Sequence, residues 1–442
     1  MRTTVVLFTR DLRVHDNPTL AAAVAGADMV VPLFVLDPTI IAAANRHRFL
    51  AESLDDLRQS LRRRGGDLVI RRGDPVVEAT RLARQVEASQ IALAGDVSQY
   101  ARRRERRLRD ACDKQRWSLT VSPGLTVVPP GELRPGGGGP AYQVFTPYWR
   151  LWRQTSWRAV APTPRKIKLP ADLDPGQLPE PQVSGLSPNV VRGGEEHGRR
   201  RLNAWLRDLG GYADNHDLMA ADRTSRLSPY LRFGCLSPLD VVQAALRTGA
   251  DAAEDFIRQL CWRDFFYQVA AAFPKLRVRT VRSVEEGWRT DPAAVAAWRE
   301  GRTGVPIVDA GMRQLTAEGW MHNRARLLVA SFLTKHLGLD WRDGGDWFFD
   351  WLLDGDVPNN YGNWQWVAGT GNDTKPYRRF NPIRQAHRFD PDGDYVRRYV
   401  DELADIDGAA VHEPWKLPVC HRNGYPSPLE APSGQSWFPP HA

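Results

Sequence analysis

The stretch TTVVLFTRDLR, Thr3 to Arg13, decides the first half of the fold. A short, uniformly apolar run led by β-branched residues ends abruptly in Thr-Arg-Asp. A strand covered by helices on both faces needs that pattern, because alternation is lost when neither side meets water. The pattern recurs in MVVPLFVLDP (Met29–Pro38), DLVIRRGDP (Asp67–Pro75) and IALAGDVS (Ile91–Ser98). Helix-like stretches at 48–64 and 75–88 lie between these runs. Strand–helix alternation at this spacing predicts a parallel α/β domain over residues 1–130, with ligands beyond the carboxyl ends of the strands.

VVPPGELRPGGGGPAYQ (Val127–Gln143) closes that domain, since a glycine run cannot form the interior of a regular element. Prolines recur from 161 to 188, so residues 131–192 read as a connector with one helix near 147–157. From 193 to 442 the strand pattern disappears. Amphipathic stretches at 195–209, 251–273, 305–337 and 341–353 predict an all-α domain.

The chain has 442 residues, a net charge of +8 and 16 tryptophans. A basic excess fits a polyanionic partner, or equally an arginine-rich solvated surface. Cys112, Cys235, Cys261 and Cys420 form no CxxC pair, which argues against a zinc ribbon, an iron–sulfur site or a disulfide framework. No metal site is expected. The opening apolar run is too short for a signal peptide, and Asp28 interrupts Leu20–Leu36, so no membrane span is expected and the cytoplasm is the expected location. The phosphate-loop, dinucleotide-fingerprint, zincin and serine-hydrolase motifs are all missing.

Four constellations remain. In YADNHDLMAADRTSRLSPYLRFGCLSP (Tyr212–Pro238), Thr224, Ser225 and Ser228 surround Arg226. Hydroxyls and a cation near a helix start can hold phosphate, or simply cap the helix. In EDFIRQLCWRDFFYQVAAAF (Glu254–Phe273), Gln259, Trp262, Arg263 and Phe266 share one helical face. That face suits a flat hydrogen-bonding ligand, or a helix packed aromatics-inward. In GWMHNRARLLVASF (Gly319–Phe332), Asn323, Arg326 and Leu327 share a face beside His322. DGDVPNNYGNWQW (Asp354–Trp366) gathers acids, amides and indoles and contains no Lys or Arg, although the chain around it is basic.

Seven segments, in order and nearly end to end, resemble the photolyase/cryptochrome family, most closely its class I cyclobutane pyrimidine dimer DNA photolyases. They are RDLRVHDNPTL (Arg10–Leu20), YQVFTPYWRLW (Tyr142–Trp152), TSRLSPYLRFGCLSP (Thr224–Pro238), QLCWRDFF (Gln259–Phe266), GVPIVDAGMRQLTAEGWMHNRAR (Gly304–Arg326), DGDVPNNYGNWQW and PYRRFNP (Pro376–Pro382). The resemblance implies a Rossmann-like N-terminal antenna domain and a helical FAD-binding C-terminal domain. It implies light-dependent DNA repair by a carbon–carbon lyase, in which excited reduced FAD lends an electron to a flipped-out dimer.

By the same resemblance, Tyr212, Thr224, Ser225, Arg226, Leu227 and Ser228 match the segments around the phosphates and ribityl chain. Arg263, Arg326, Asp354, Gly355 and Asp356 match flavin-side positions, with Arg326 pairing Asp354. Asn360 falls where the family places the residue facing flavin N5. An amide there is a poor acid and favours the fully reduced flavin that repair needs, whereas plant cryptochromes carry Asp. Trp288, Trp341 and Trp364 match an electron-hopping chain. Trp262, Phe266 and Trp366 fall at the lesion pocket, where Gln259 and Asn323 would hydrogen-bond the base edges. Arg324, Arg378, Arg379 and Gln385 are candidates for backbone contacts with UV-damaged DNA, bound by a monomer.

Two positions depart from the class I pattern. Gln259 stands where Glu is usual, and Leu327 where Met is usual. Gln at 259 also occurs in (6-4) photolyases, but those carry histidines where this chain has Asn323 and Leu327. The segment DVSQYARRRERRLRD (Asp96–Asp110) resembles members that bind an 8-hydroxy-5-deazaflavin antenna more than those that bind methenyltetrahydrofolate, with Arg46 a further contact. A solvated arginine-rich helix is the other reading of that segment. A cryptochrome-type photoreceptor and a flavin redox protein without a DNA role are the competing functions.

Overall fold

Five strands, all parallel, form one sheet in the order β3-β2-β1-β4-β5. They are β1 (Thr3–Phe8), β2 (Met29–Leu36), β3 (Val69–Arg72), β4 (Gln90–Ala94) and β5 (Ser118–Ser122). The computed structural model describes residues 1–40, 43–181, 184–284, 286–372 and 374–429. Every residue of β1 is buried, as its apolar run requires. Val5 sits between Val31 and Ile91 in register.

The crossovers are α1 (Pro18–Gly26), α2 (Ala44–Arg62), α3 (Pro75–Gln85) and α4 (Gln99–Gln115). Asn17 starts α1 by accepting from Leu20 N at 3.0 Å, and Asp74 starts α3 by accepting from Val76 and Val77. Pro18 and Pro75 follow these caps, where a missing N–H costs nothing. One core packs Val5, Leu33 and Leu93 of the sheet against Ala79 and Leu82 of α3 and Leu108 of α4. The sequence reading found four strands and missed β5. SLTVS is an edge strand, partly exposed for most of its length, and lacks the continuous apolar run that marks the others.

The chain is helical from there on: α5 (Phe145–Gln154), α6 (Glu195–Arg207), α7 (Tyr212–Asn215), α8 (Ser228–Phe233), α9 (Pro238–Arg247) and α10 (Ala253–Ala272). Then follow α11 (Pro292–Arg299), α12 (Pro306–Glu318), α13 (Asn323–Ser331), α14 (Trp341–Trp351), α15 (Val357–Ala368), α16 (Pro382–Phe389) and α17 (Asp394–Tyr399). The chain divides into two compact units. The first is Met1–Gly185, Val191–Gly210 and Ser225–Lys275, and the second is Leu186–Val190, Gly211–Thr224 and Leu276–Ala442.

In the first unit the sheet's topological switch lies between β1 and β4. Helices of the same unit fill that crevice. Arg10, just past β1, donates to Arg232 O at 3.1 Å and to Tyr267 Oη at 2.6 Å, and pairs with Asp96 past β4 at 3.4 Å. Arg13, 1% exposed, donates to Asp16 O, Gly124 O and Gly234 O. A Cβ at Gly234 would collide with Arg10 O, and its φ of +70° independently favours glycine.

In the second unit the stretch read as one helix over 305–337 is broken. α12 ends at Gly319, whose φ of +61° stops the helix. His322 Nδ1 then accepts from Arg324 N to start α13, and one π-helical turn, Phe332–His336, follows it. α14 packs closely on α15, where a Cβ at Gly344 would collide with the Trp364 ring. Among the described residues, no helix is long and apolar enough to cross a membrane.

Candidate functional site

The second unit carries most of the expected residues, and a group of them lies at the starts of α13 and α15. Asp356 accepts from Asn359 N at 2.8 Å and thereby starts α15. This cap fixes the loop before it, so Asp354 meets α13. Arg326 Nη1 and Nη2 reach the two Asp354 oxygens at 3.1 and 2.8 Å, and Arg326 Nε donates to Met321 O. The Asp354 carboxylate is only 4% exposed, so this fork compensates most of its desolvation.

One turn into α15, Asn360 is buried. Its Nδ2 donates to Gly345 O at 2.8 Å, which fixes the amide plane and leaves one N–H and the carbonyl oxygen for a ligand. Asn323, Arg324 and Leu327 start α13 beside Arg326, with Asn323 exposed and the other two half-buried. Arg324 pairs with Asp217 at 2.5 Å and lies 4.2 Å above the Phe389 ring. Trp366 is half-buried under the Arg378 guanidinium at 5.5 Å, while Arg378 and Arg379 are exposed and Gln385 is half-buried on α16. Tyr212 is buried against His216, and Gly355 joins the two acids. Thr224 Oγ1 is buried with no hydrogen-bond partner among the described residues. Such a hydroxyl suits an absent acceptor, such as a phosphate or ribityl oxygen.

The first unit carries the rest. Arg226 adopts φ +50°, an uncommon backbone for arginine. Leu227 is buried and Ser225 and Ser228 are partly exposed, so this turn presents hydroxyls and a guanidinium. On α10, Gln259 is exposed, and Trp262 is stacked on Phe145 at 3.7 Å and 5°. Arg263 donates to Leu125 O and to Tyr267 Oη. Phe266 is only 3% exposed, stacked behind Trp262, so it props the indole and offers little surface of its own. Asp264, on the opposite face of α10, accepts from Val127 N, Val128 N and Trp152 Nε1. Burial pushes its carboxyl up to about 6, against the pull of Arg263 and these donors.

The three aligned tryptophans lie in the second unit. Trp364 is 2% exposed, with its ring edge-on to Phe348 at 5.0 Å. Trp341 is fully buried under the Arg342 guanidinium, 4.6 Å from the ring centroid. Trp288 is half-buried, donates to Glu286 Oε2 at 2.8 Å, and lines two clefts of about 690 and 300 Å³. Arg342 holds the Glu286 carboxyl below the usual range.

Several partners escaped the sequence reading. Asp217 lies far from Arg324 in sequence, and Glu286 sits in a loop without periodicity, so neither leaves a local signal. The Gly344-Gly345 pair inside a helical pattern was such a signal, since mid-helix glycine commonly marks a close approach.

The hydroxyls and guanidinium before α8, and the ion-paired carboxylate before α15, are polar groups of the kind that a phosphate-bearing cofactor takes. Residues 4–168 match the family described as DNA photolyase, and residues 256–432 the FAD binding domain of DNA photolyase. A Streptomyces griseus protein named deoxyribodipyrimidine photo-lyase is 48% identical, covering 97% of this chain and 96% of its own length. A Gloeobacter violaceus protein named cryptochrome DASH is 36% identical, covering 94% and 89%. The crystal structure of a bacterial class III photolyase from Agrobacterium tumefaciens superposes with a TM-score of 0.91 at 34% identity, covering 97% and 94%. The chain belongs to the photolyase/cryptochrome family.

Proposed function

We propose that this chain is a deoxyribodipyrimidine photo-lyase, which binds FAD and UV-damaged DNA and uses blue light to split cyclobutane pyrimidine dimers. The observation that carries the reading is the 48% identity, across 97% of this chain, to a protein bearing that name. The donor set fits the cofactor. Thr224, with its unpartnered hydroxyl, and Ser225, Arg226 and Ser228 suit phosphates and a ribityl chain, and the Arg326–Asp354 fork suits a polar ring edge.

Bound in its reduced form, FAD would supply light-driven one-electron chemistry to the lesion. The protein's part is binding, orientation and exclusion of water. Asn360, its plane fixed by Gly345 O, presents an amide that hydrogen-bonds without delivering a proton, as a carboxylic acid would. Each unit carries lesion-side candidates of its own: Trp262, held parallel to Phe145, with Gln259 in the first, and Trp366, under Arg378, with Asn323 in the second. Arg378, Arg379 and Gln385 serve the DNA backbone. Arg324 keeps Asp217 as a partner and contributes less there. The Trp364, Trp341 and Trp288 series would carry electrons inward toward the cofactor. The antenna is a deazaflavin at α4, where Tyr100 donates to Asp37 and lies under Arg104 at 5.7 Å. The protein acts as a monomer in the cytoplasm.

A specific observation supports a second reading: the cryptochrome DASH relative at 36% identity favours a photoreceptor. The test is to reduce the purified holoenzyme, add UV-damaged oligothymidine and illuminate with blue light. Light-dependent loss of cyclobutane dimers is expected. Unchanged dimers would sink the repair reading, and loss confined to (6-4) lesions run in parallel would redirect it.

A further inference from the structure

The outer two tryptophans of the series are joined by one ion pair. Arg342 Nη1 and Nη2 hold the Glu286 oxygens at 2.7 and 3.0 Å. The same guanidinium lies 4.6 Å from the Trp341 ring centroid, and the same carboxylate accepts the Trp288 indole N–H at 2.8 Å. Trp341 Nε1 has no hydrogen-bond partner among the described residues. The two rings therefore have opposite surroundings. Trp341 is dry, under a cation, and has no acceptor for its N–H. Trp288 is partly wetted by its clefts and faces an anion. The neighbouring charges do not reverse this contrast. Arg289 is paired with Asp291, and Asp340 shares the Arg342 guanidinium at 3.1 Å, which tempers its charge without removing it from the ring face.

We propose that the Glu286–Arg342 pair drives an electron vacancy outward from Trp341 and holds it on Trp288. This rests on the reading of Trp364, Trp341 and Trp288 as an electron chain. A cation over an indole face favours the neutral ring over its oxidised form, and a carboxylate on an indole N–H favours the oxidised form. In the step itself, Trp341 has passed one electron inward to Trp364 and takes one from Trp288. Trp341 returns to neutral and Trp288 becomes a cation. No bond breaks, and the Trp288 proton stays on Nε1, hydrogen-bonded to Glu286. A soluble thiolate then gives one electron to Trp288 and leaves as a thiyl radical. Glu286 and Arg342 are positioning residues, since they act through the two indoles that they contact.

Flash spectroscopy of the holoenzyme measures how long the oxidised indole survives. Glu286→Gln keeps an oxygen for the Trp288 N–H and removes the charge. It should shorten that lifetime about tenfold, and Glu286→Asp should restore most of it. A parent-like lifetime in Glu286→Gln, with flavin content and melting temperature also unchanged, overturns the proposal. Trp288→Phe separates the two layers of the argument. If it leaves the long-lived oxidised indole intact, the electron-chain reading itself fails. If it abolishes that species while Glu286→Gln does not shorten it, only the role of the ion pair fails. A second readout needs no variant: electron paramagnetic resonance of the unaltered protein, oxidised by one electron and freeze-trapped. It should place the vacancy on Trp288, and localisation on Trp341 overturns the proposal.

Discussion

At the scale of single residues, Asp264 has the clearest thermodynamic consequence. Its carboxyl is buried on α10 and raised from 3.8 to about 6, so the folded state holds its proton to higher pH than the unfolded chain does. Between about pH 4 and pH 6 the native state binds more protons, and this residue's share of stability falls as pH rises. Above that window the penalty is constant, about 3 kcal/mol for a displacement of this size. Asp264→Asn keeps an acceptor for Val127 N, Val128 N and Trp152 Nε1 without the charge. Chemical denaturation from about pH 4 to pH 7 should show the variant gaining on the parent through that window. A difference that stays flat would mean that Asp264 does not titrate there. Legibility at this scale was uneven. Resemblance anticipated the Arg326–Asp354 pair, which the structure contains, because both residues lie within quoted motifs. Asp217 as the partner of Arg324 and Glu286 as a partner of Arg342 were invisible, because ion pairs between distant segments leave no periodicity in sequence.

At the scale of elements, apolar runs and caps were readable and tertiary interruptions were not. Four strands and the starts of α1 and α3 follow from local pattern, while β5, one of the sheet's two edge strands, is partly exposed for most of its length and has no continuous apolar run. The 305–337 stretch reads as continuous because its apolar period survives the break at Gly319, where Trp320 and Met321 remain buried. The α14–α15 contact gives the prediction that belongs here. Gly344→Ala drives a methyl group into the Trp364 ring, and α14 must move away or the indole must turn. The expected cost is about 1–3 kcal/mol by denaturant titration, with a shifted Trp364 emission. An unchanged midpoint and unchanged emission would mean that the two helices meet less closely than described.

For the whole molecule, the charge balance of +8 bears on binding rather than on fold. Arg378 and Arg379 are exposed just downstream of the cation-free Asp354–Trp366 stretch. If they meet phosphates, the double variant Arg378→Ala/Arg379→Ala should lower the slope of log affinity against log salt by roughly 1–2, and weaken damaged and undamaged DNA alike. A slope equal to the parent's would assign the DNA contacts elsewhere. The change from strand to helix periodicity between residues 130 and 193 was legible in the sequence. The membership of α8, α9 and α10 in the sheet's own unit was not, because it depends on side chains of Arg10 and Arg13 finding carbonyls more than 200 residues away.

That filled crevice also sets an order of events during synthesis. Arg10 and Arg13 leave the ribosome early, but Arg232 O, Gly234 O and Tyr267 follow more than 200 residues later. At ordinary translation rates the interval is on the order of tens of seconds. Throughout it, the two arginines at the sheet's carboxyl edge have Asp96, Asp16 O and Gly124 O within reach but lack Arg232 O, Gly234 O and Tyr267. The N-terminal third of the chain therefore cannot reach its finished state on its own, and the last contacts it acquires are the ones that fill the crevice between β1 and β4.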